Sequence, residues 1–173
     1  IARDMKIYSI WEGTNFIQSL DLVGRKMGMA KGAAFAGFIQ EIKDFCAANK
    51  DTVGLEKEFL NLGKALEAYD KILATLVEWK GSNPALIPVF SRRVLTATSQ
   101  LHAGHLLLDQ ALICLKKMAE LGSDHYDYKF YKGKVEATRW YLRNVVPNVW
   151  CTADIVTDAD TSALDIDLES FDY

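Results

Sequence analysis

Apolar side chains recur at three- and four-residue steps along most of the chain, and nowhere does a run alternate apolar and polar residues between hairpin-forming turns. This periodicity predicts an all-α fold. Ile1, Met5 and Tyr8, with Ile7 and Ile10, read as the end of a helix stopped by Gly13. Asn15 then suits a helix N-cap, with Gln18 three residues on as an approximate capping box, and Phe16, Ile17, Leu20, Val23 and Met27 form the expected buried stripe. Gly24, Gly28 and Gly32 weaken the helical pattern over residues 24–32.

Four longer segments come next. A helix over 33–48, carrying Phe35, Phe38, Ile39, Ile42, Phe45 and Cys46, ends in the polar turn 49–52. A second, over 55–79, turns Leu55, Phe59, Leu62, Leu66, Tyr69, Leu73 and Leu76 inward. Pro84 fits the first turn of a third helix, with Ser82 or Asn83 as its cap, which runs to about residue 121. Gly122, Ser123 and Asp124 close it. The last helix, over 128–156, carries Pro147, which should kink it or leave a carbonyl free. Short connections between long helices predict an antiparallel four-helix bundle preceded by a helix–turn–helix fragment. No repeat of solenoid length is present.

Composition narrows the function more than the fold. With 173 residues, 50% hydrophobic and 25% charged, the chain can bury a core, and no apolar run is long enough to span a bilayer. The net charge of −3 is uneven: the last base is Arg143, and residues 144–173 hold seven acids, which leaves residues 1–143 at +4. Such an acidic end reads as a solvated segment. Lys116, Lys117, Lys129, Lys132 and Lys134 interleave with Tyr126, Tyr128, Phe130 and Tyr131 as on some nucleic-acid surfaces, but so small an excess of base argues against that partner. Cys46, Cys114 and Cys151 are odd in number and in no CxxC spacing, so neither a disulfide framework nor a zinc site is indicated, and a reducing cytoplasm fits them. His102, His105 and Asp109 share one helix face at metal-ligand spacing. Their leucine-rich surroundings read better as the edge of a bundle, and no metal site is expected. Arg92 and Arg93 are expected to serve packing and surface ion pairs.

The stretch Ile10-Trp11-Glu12-Gly13-Thr14-Asn15 is the one that carries chemistry. A lone carboxylate sits between an aromatic ring and a glycine, where one helix ends and another begins. Gly13 lets the backbone turn, and the Trp11 ring offers apolar surroundings that can tune Glu12 for proton abstraction. By spacing alone, Glu12 reads as a solvated helix-terminal acid.

Residues 2–18, with Arg3-Asp4, then Ile10-Trp11-Glu12-Gly13-Thr14, then Ile17-Gln18, resemble a segment of the flavin-dependent acyl-CoA dehydrogenases. Leu20 to Lys26 is similar to the longer members of that family, which add a helical domain after the catalytic one. The segment 129–150, with Lys134, Ala137, Arg139, Trp140-Tyr141 and Pro147, and the end at Leu168-Glu169-Ser170-Phe171, resemble the last part of that added domain. The resemblance implies that residues 1–32 are the end of the catalytic helical domain and residues 33–173 the additional bundle. It implies Glu12 as the base that removes a proton from the α-carbon of an acyl-CoA thioester while hydride passes to FAD. Gly13 would lie against the substrate, and Thr14 and Asn15 would meet the FAD cofactor, where free helix N–H groups favour phosphate oxygens. Phe16 stands where the family often has Gln, so no polar FAD contact is expected there. A homo-oligomer, such as a dimer, is the expected assembly. The chain starts at Ile1 inside a helical pattern and lacks the barrel and glycine-rich loop of the family, so it is expected to be a piece of a larger enzyme and to bind no FAD alone. The reading from another class is a non-enzymatic helical module that caps an active site, dimerises or binds a partner.

Overall fold

The computed structural model describes residues 14–171. The helices are α1 (Asn15–Gly24), α2 (Ala33–Asn49), α3 (Glu56–Ser82), α4 (Leu86–Leu121), α5 (Tyr128–Asn144) and α6 (Asn148–Asp158), with 3-10 segments at Lys26–Gly32 and Leu168–Phe171. No strand occurs among the described residues. The fold is the expected all-α bundle, with α2, α3, α4 and the broken column α5–α6 as its four members. Its direction is legible in the contacts. Phe35 meets Tyr69 while Phe45 meets Phe59, so α2 and α3 run antiparallel. Phe38 meets His102 and Phe45 meets His105, so α2 and α4 run parallel.

The core follows the predicted stripes closely. On α3, Leu55, Phe59, Leu62, Leu66, Tyr69 and Leu76 are buried, and Leu73 is half-buried. Trp79 and Phe90 stack across the α3–α4 turn with ring centroids 5.2 Å apart. Tyr69 sits fully inside, its hydroxyl bonded to Thr98, and burial pushes its ionisation well above the usual tyrosine range.

Two features differ from the expectation. On α1 the buried face is Ser19, Leu22 and Val23, whereas Phe16 and Ile17 are 56% and 64% exposed. The rotation has a polar cause. Ser19 and Ser91 lie 2.9 Å apart and fully buried between α1 and α4; each can also donate to a carbonyl of its own helix, Ser19 to Phe16 at 2.7 Å and Ser91 to Pro88 at 2.8 Å. Two hydroxyl protons serve three contacts, so both oxygens stay satisfied, and two small side chains let the helices approach.

The second difference is the last helix, which is two helices rather than one kinked helix. Pro147 brings no N–H for the carbonyl of Arg143, and its ring cannot share space with that carbonyl. The chain responds by closing early: the N–H groups of Val145 and Val146 both donate to Tyr141. Leu142 thereby loses the helical partner for its carbonyl, and Asn61 of α3 supplies a replacement through Nδ2 at 3.0 Å. On either side, Arg139 donates to the Gly54 carbonyl at 2.8 Å, and Arg143 holds the carboxylate of Glu58 at 2.6 Å. Glu58 is only 1% exposed and lies in the first turn of α3, where free N–H groups also favour a negative charge. Across the bundle, Gly104 of α4 abuts the same level: a methyl group placed there would meet Val146 at 2.9 Å, with Leu142 and Leu62 close behind.

Two substitutions test this level. Asn61→Leu strands the Leu142 carbonyl and should lower unfolding free energy by about 1–3 kcal/mol in a denaturant titration. Gly104→Ala should destabilise by about 1–3 kcal/mol through overpacking, despite a helix preference of about 1 kcal/mol in favour of alanine. Val146→Ala in the same chain should recover part of that loss, and strictly additive losses would contradict the close approach.

Candidate functional site

Of the four residues that the sequence nominates, Glu12 and Gly13 lie outside the described residues, whereas Thr14 and Asn15 are described. Thr14, not Asn15, takes the cap position of α1, with φ −63° and ψ 34°; Asn15 is the first helical residue. The Thr14 carbonyl accepts the N–H of Gln18 at 3.0 Å, which closes the first helical turn. No side chain caps α1, so the anticipated Asn15–Gln18 capping box is not formed. The N–H groups of the first turn thus have no acceptor within the helix, and they are the natural seat for an anionic oxygen.

What holds this end in place lies further along α1. Ser19 fixes the helix to Ser91 of α4, and Leu22 and Val23 continue the contact. At the other end, Arg25 clasps Asp21 with two bonds of 2.6 and 3.0 Å, and Lys26 adds a longer contact at 3.6 Å. The Arg25 guanidinium holds the Asp21 carboxyl below the usual carboxylate range. The chain then reverses through Lys26–Gly32, where Ala30 (φ 52°), Lys31 (φ 58°) and Gly32 (φ 88°) are consecutively left-handed. Only Gly32 adopts this without steric cost. The reversal brings Val23 and Met27 over Phe35, Leu73, Val77 and Lys80, around an apolar cleft of about 210 Å³ that offers no acid or nucleophile.

The histidine cluster behaves as a bundle edge. His102 is exposed, and His105, 8% exposed, packs edge-on against Phe45 with centroids 4.6 Å apart. No group of three His, Cys, Asp or Glu residues able to hold a metal occurs among the described residues. Nδ1 of His105 is buried and has no hydrogen-bond partner among the described residues. Cys46 donates to the Phe59 carbonyl, and burial pushes its thiol up, away from the reactive thiolate. Lys129, Lys132 and Lys134 lie exposed on α5, with Lys134 over the ring of Phe130. No helix among the described residues is long and apolar enough to cross a membrane.

A short helix docked on the longest member of an all-α bundle defines the class: a helical domain with one further helix packed against it. The family model described as "Acetyl-CoA dehydrogenase C-terminal like" matches residues 38–167. The chain belongs to this acyl-CoA dehydrogenase C-terminal family. It is 48% identical over 171 residues to a butyryl-CoA dehydrogenase of Syntrophomonas wolfei, an alignment covering 99% of this chain and 28% of that protein. A second butyryl-CoA dehydrogenase of the same organism is 44% identical over 165 residues, 95% of this chain and 27% of that protein. A broad-specificity linear acyl-CoA dehydrogenase of Mycobacterium tuberculosis is 27% identical over 98% of the chain and 28% of its own length. The chain therefore spans little more than a quarter of the relatives that it matches.

The buried histidine makes a pH prediction. Burial, and secondarily the neighbouring His102, lower the pKa of His105 below its ordinary 6.5; Glu41 on α2 and Asp109 on α4 oppose this more weakly. The unfolded chain therefore binds this proton more readily. The resulting stability is complete above pH 6.5 and is lost as pH falls from there through the folded-state value. Thermal midpoints measured from about pH 7 to pH 5 should decline, and His105→Leu should flatten that decline; an unchanged slope would refute the assignment.

Proposed function

We propose that this chain forms part of a flavin-dependent acyl-CoA dehydrogenase, and that Glu12 is its proton-abstracting base. The observation that carries the reading is the similarity, along nearly the whole chain, to two butyryl-CoA dehydrogenases, together with the Trp11-Glu12-Gly13-Thr14 stretch ahead of α1. Residues 1–32 would be the end of the catalytic helical domain and residues 33–173 the additional bundle. The substrate class is an acyl-CoA thioester, with a short linear acyl chain as the first candidate because of the relatives' names.

FAD, when bound, supplies the hydride acceptor for α,β-dehydrogenation. The residues present fit that group at one point: the first turn of α1, with Thr14 at its cap and Asn15 behind it, has N–H groups without a partner among the described residues, and these favour a phosphate oxygen. Glu12 would take the α-proton of the thioester, and its carboxylate is suited to this because carbonyl polarisation makes that proton more acidic. The backbone N–H of Glu12 would donate to the thioester oxygen and favour the charge that develops there. Gly13 would leave room for substrate beside the turn. The bundle's own part is mechanical: α4 anchors α1 through Ser91, so the helix that begins shortly after Glu12 is not free to swing.

In the complete enzyme, Glu12→Gln should reduce turnover of butyryl-CoA by about 10²- to 10⁴-fold while flavin absorbance is retained. Turnover at the unaltered rate would reject the base. The 173-residue chain by itself should purify without a flavin spectrum and show no dehydrogenation.

A further inference from the structure

A second concavity, of about 390 Å³, opens between α4 and α6 and is lined by Val89, Arg92, Arg93, Thr96 and Thr152. Although the chain is net acidic, no carboxylate among the described residues lines this groove. Arg92 and Arg93, expected from the sequence to make surface ion pairs, pair with no acid among the described residues. The Thr96 hydroxyl is committed to the Arg92 carbonyl at 3.0 Å, which leaves the two guanidinium groups and the Thr152 hydroxyl as the groove's donors.

We propose that this groove binds a terminal phosphate group. Each guanidinium is a planar, permanently charged fork that donates two parallel N–H bonds to two oxygens. A carboxylate has two oxygens and satisfies one fork; a phosphomonoester has three terminal oxygens and close to two charges, so it can engage both forks and still accept from Thr152. Its backbone setting is firm, since both arginines stand inside the 36-residue helix α4 and Thr152 inside α6. The phosphate can come from the nucleotide end of coenzyme A, a source that rests on the proposed acyl-CoA substrate, or from another phosphorylated small molecule. The site itself depends on neither.

Titration of inorganic phosphate into the chain, followed by backbone amide NMR at low ionic strength in a phosphate-free buffer, tests the site. Saturable shifts at residues 89–96 and 152 are expected, weakened about tenfold for each arginine removed, so that Arg92→Gln with Arg93→Gln abolishes them. Arg92→Lys with Arg93→Lys keeps the charge and loses the forks, and should bind at an intermediate strength. No saturable shift, equal binding by the glutamine variant, or equal displacement by acetate at matched ionic strength would overturn the proposal. Coenzyme A and dephospho-coenzyme A, which lacks the 3′-phosphate, then separate the sources. Tighter binding of coenzyme A that vanishes in the glutamine variant supports the nucleotide end as ligand. Equal binding of the two, with inorganic phosphate still bound, keeps the groove and assigns it to a different phosphate; the role of Glu12 is untouched by that result.

Discussion

The broken column at Val145–Pro147 is the constraint around which the bundle is arranged. A proline in a long helix removes one N–H and displaces a carbonyl, and a buried carbonyl left unpaired is costly. This protein answers with one stretch of α3 and the loop before it. Gly54, Glu58 and Asn61, spaced at helical intervals, meet Arg139, Arg143 and the Leu142 carbonyl in turn. Gly104 removes the side chain that would otherwise hold α4 away from Val146. A carboxylate as buried as Glu58 needs its arginine.

The consequence reaches the other end of the molecule through α4. That helix carries Ser91 for α1, Thr98 for Tyr69, Gly104 for the break and His105 for Phe45. Because interiors are close-packed, a helix tied to four neighbours at three levels along its length has little freedom to tilt. α1 inherits that rigidity through the Ser19–Ser91 contact. The reversing segment with three consecutive left-handed residues separates α1 from α2 and turns the chain from one helix into the next.

The broad architecture is legible in the sequence because long amphipathic helices announce themselves by period: the stripe from Leu55 to Leu76 supplies the core face of α3, and Gly122 sits in the expected turn, whereas Pro84 lies ahead of α4 rather than in its first turn and Ala85, not Ser82 or Asn83, takes the cap position. Pro147 is readable as a disturbance, but Asn61, eighty-one residues before the Leu142 carbonyl, is not readable as the remedy, because nothing local marks a surface-typical amide as the partner of a remote carbonyl. Glu58 does leave a trace, since it falls on the inward stripe with Leu55, Phe59 and Leu62. The orientation of α1 escapes the periodicity because its apolar side chains do not all face the bundle, and a buried serine pair takes that face. Thr14 displaces Asn15 at the cap for an equally local reason: neither side chain bonds the first turn, so the intrinsic preference for Asn has no hydrogen bond to express it. The nominated site is legible only through its motif, since Glu12 and Gly13 lie outside the described residues.

A carboxylate at the entrance to α1 that takes the α-proton of a thioester can be tested by proton exchange, which isolates that step from hydride transfer. The complete enzyme, incubated in deuterated water with an acyl-CoA whose β-carbon cannot surrender hydride, should wash deuterium into the α-position, as read by mass spectrometry. The Glu12→Gln enzyme, folded and holding its flavin, should leave that position protonated; exchange at the unaltered rate would show that another group does the work.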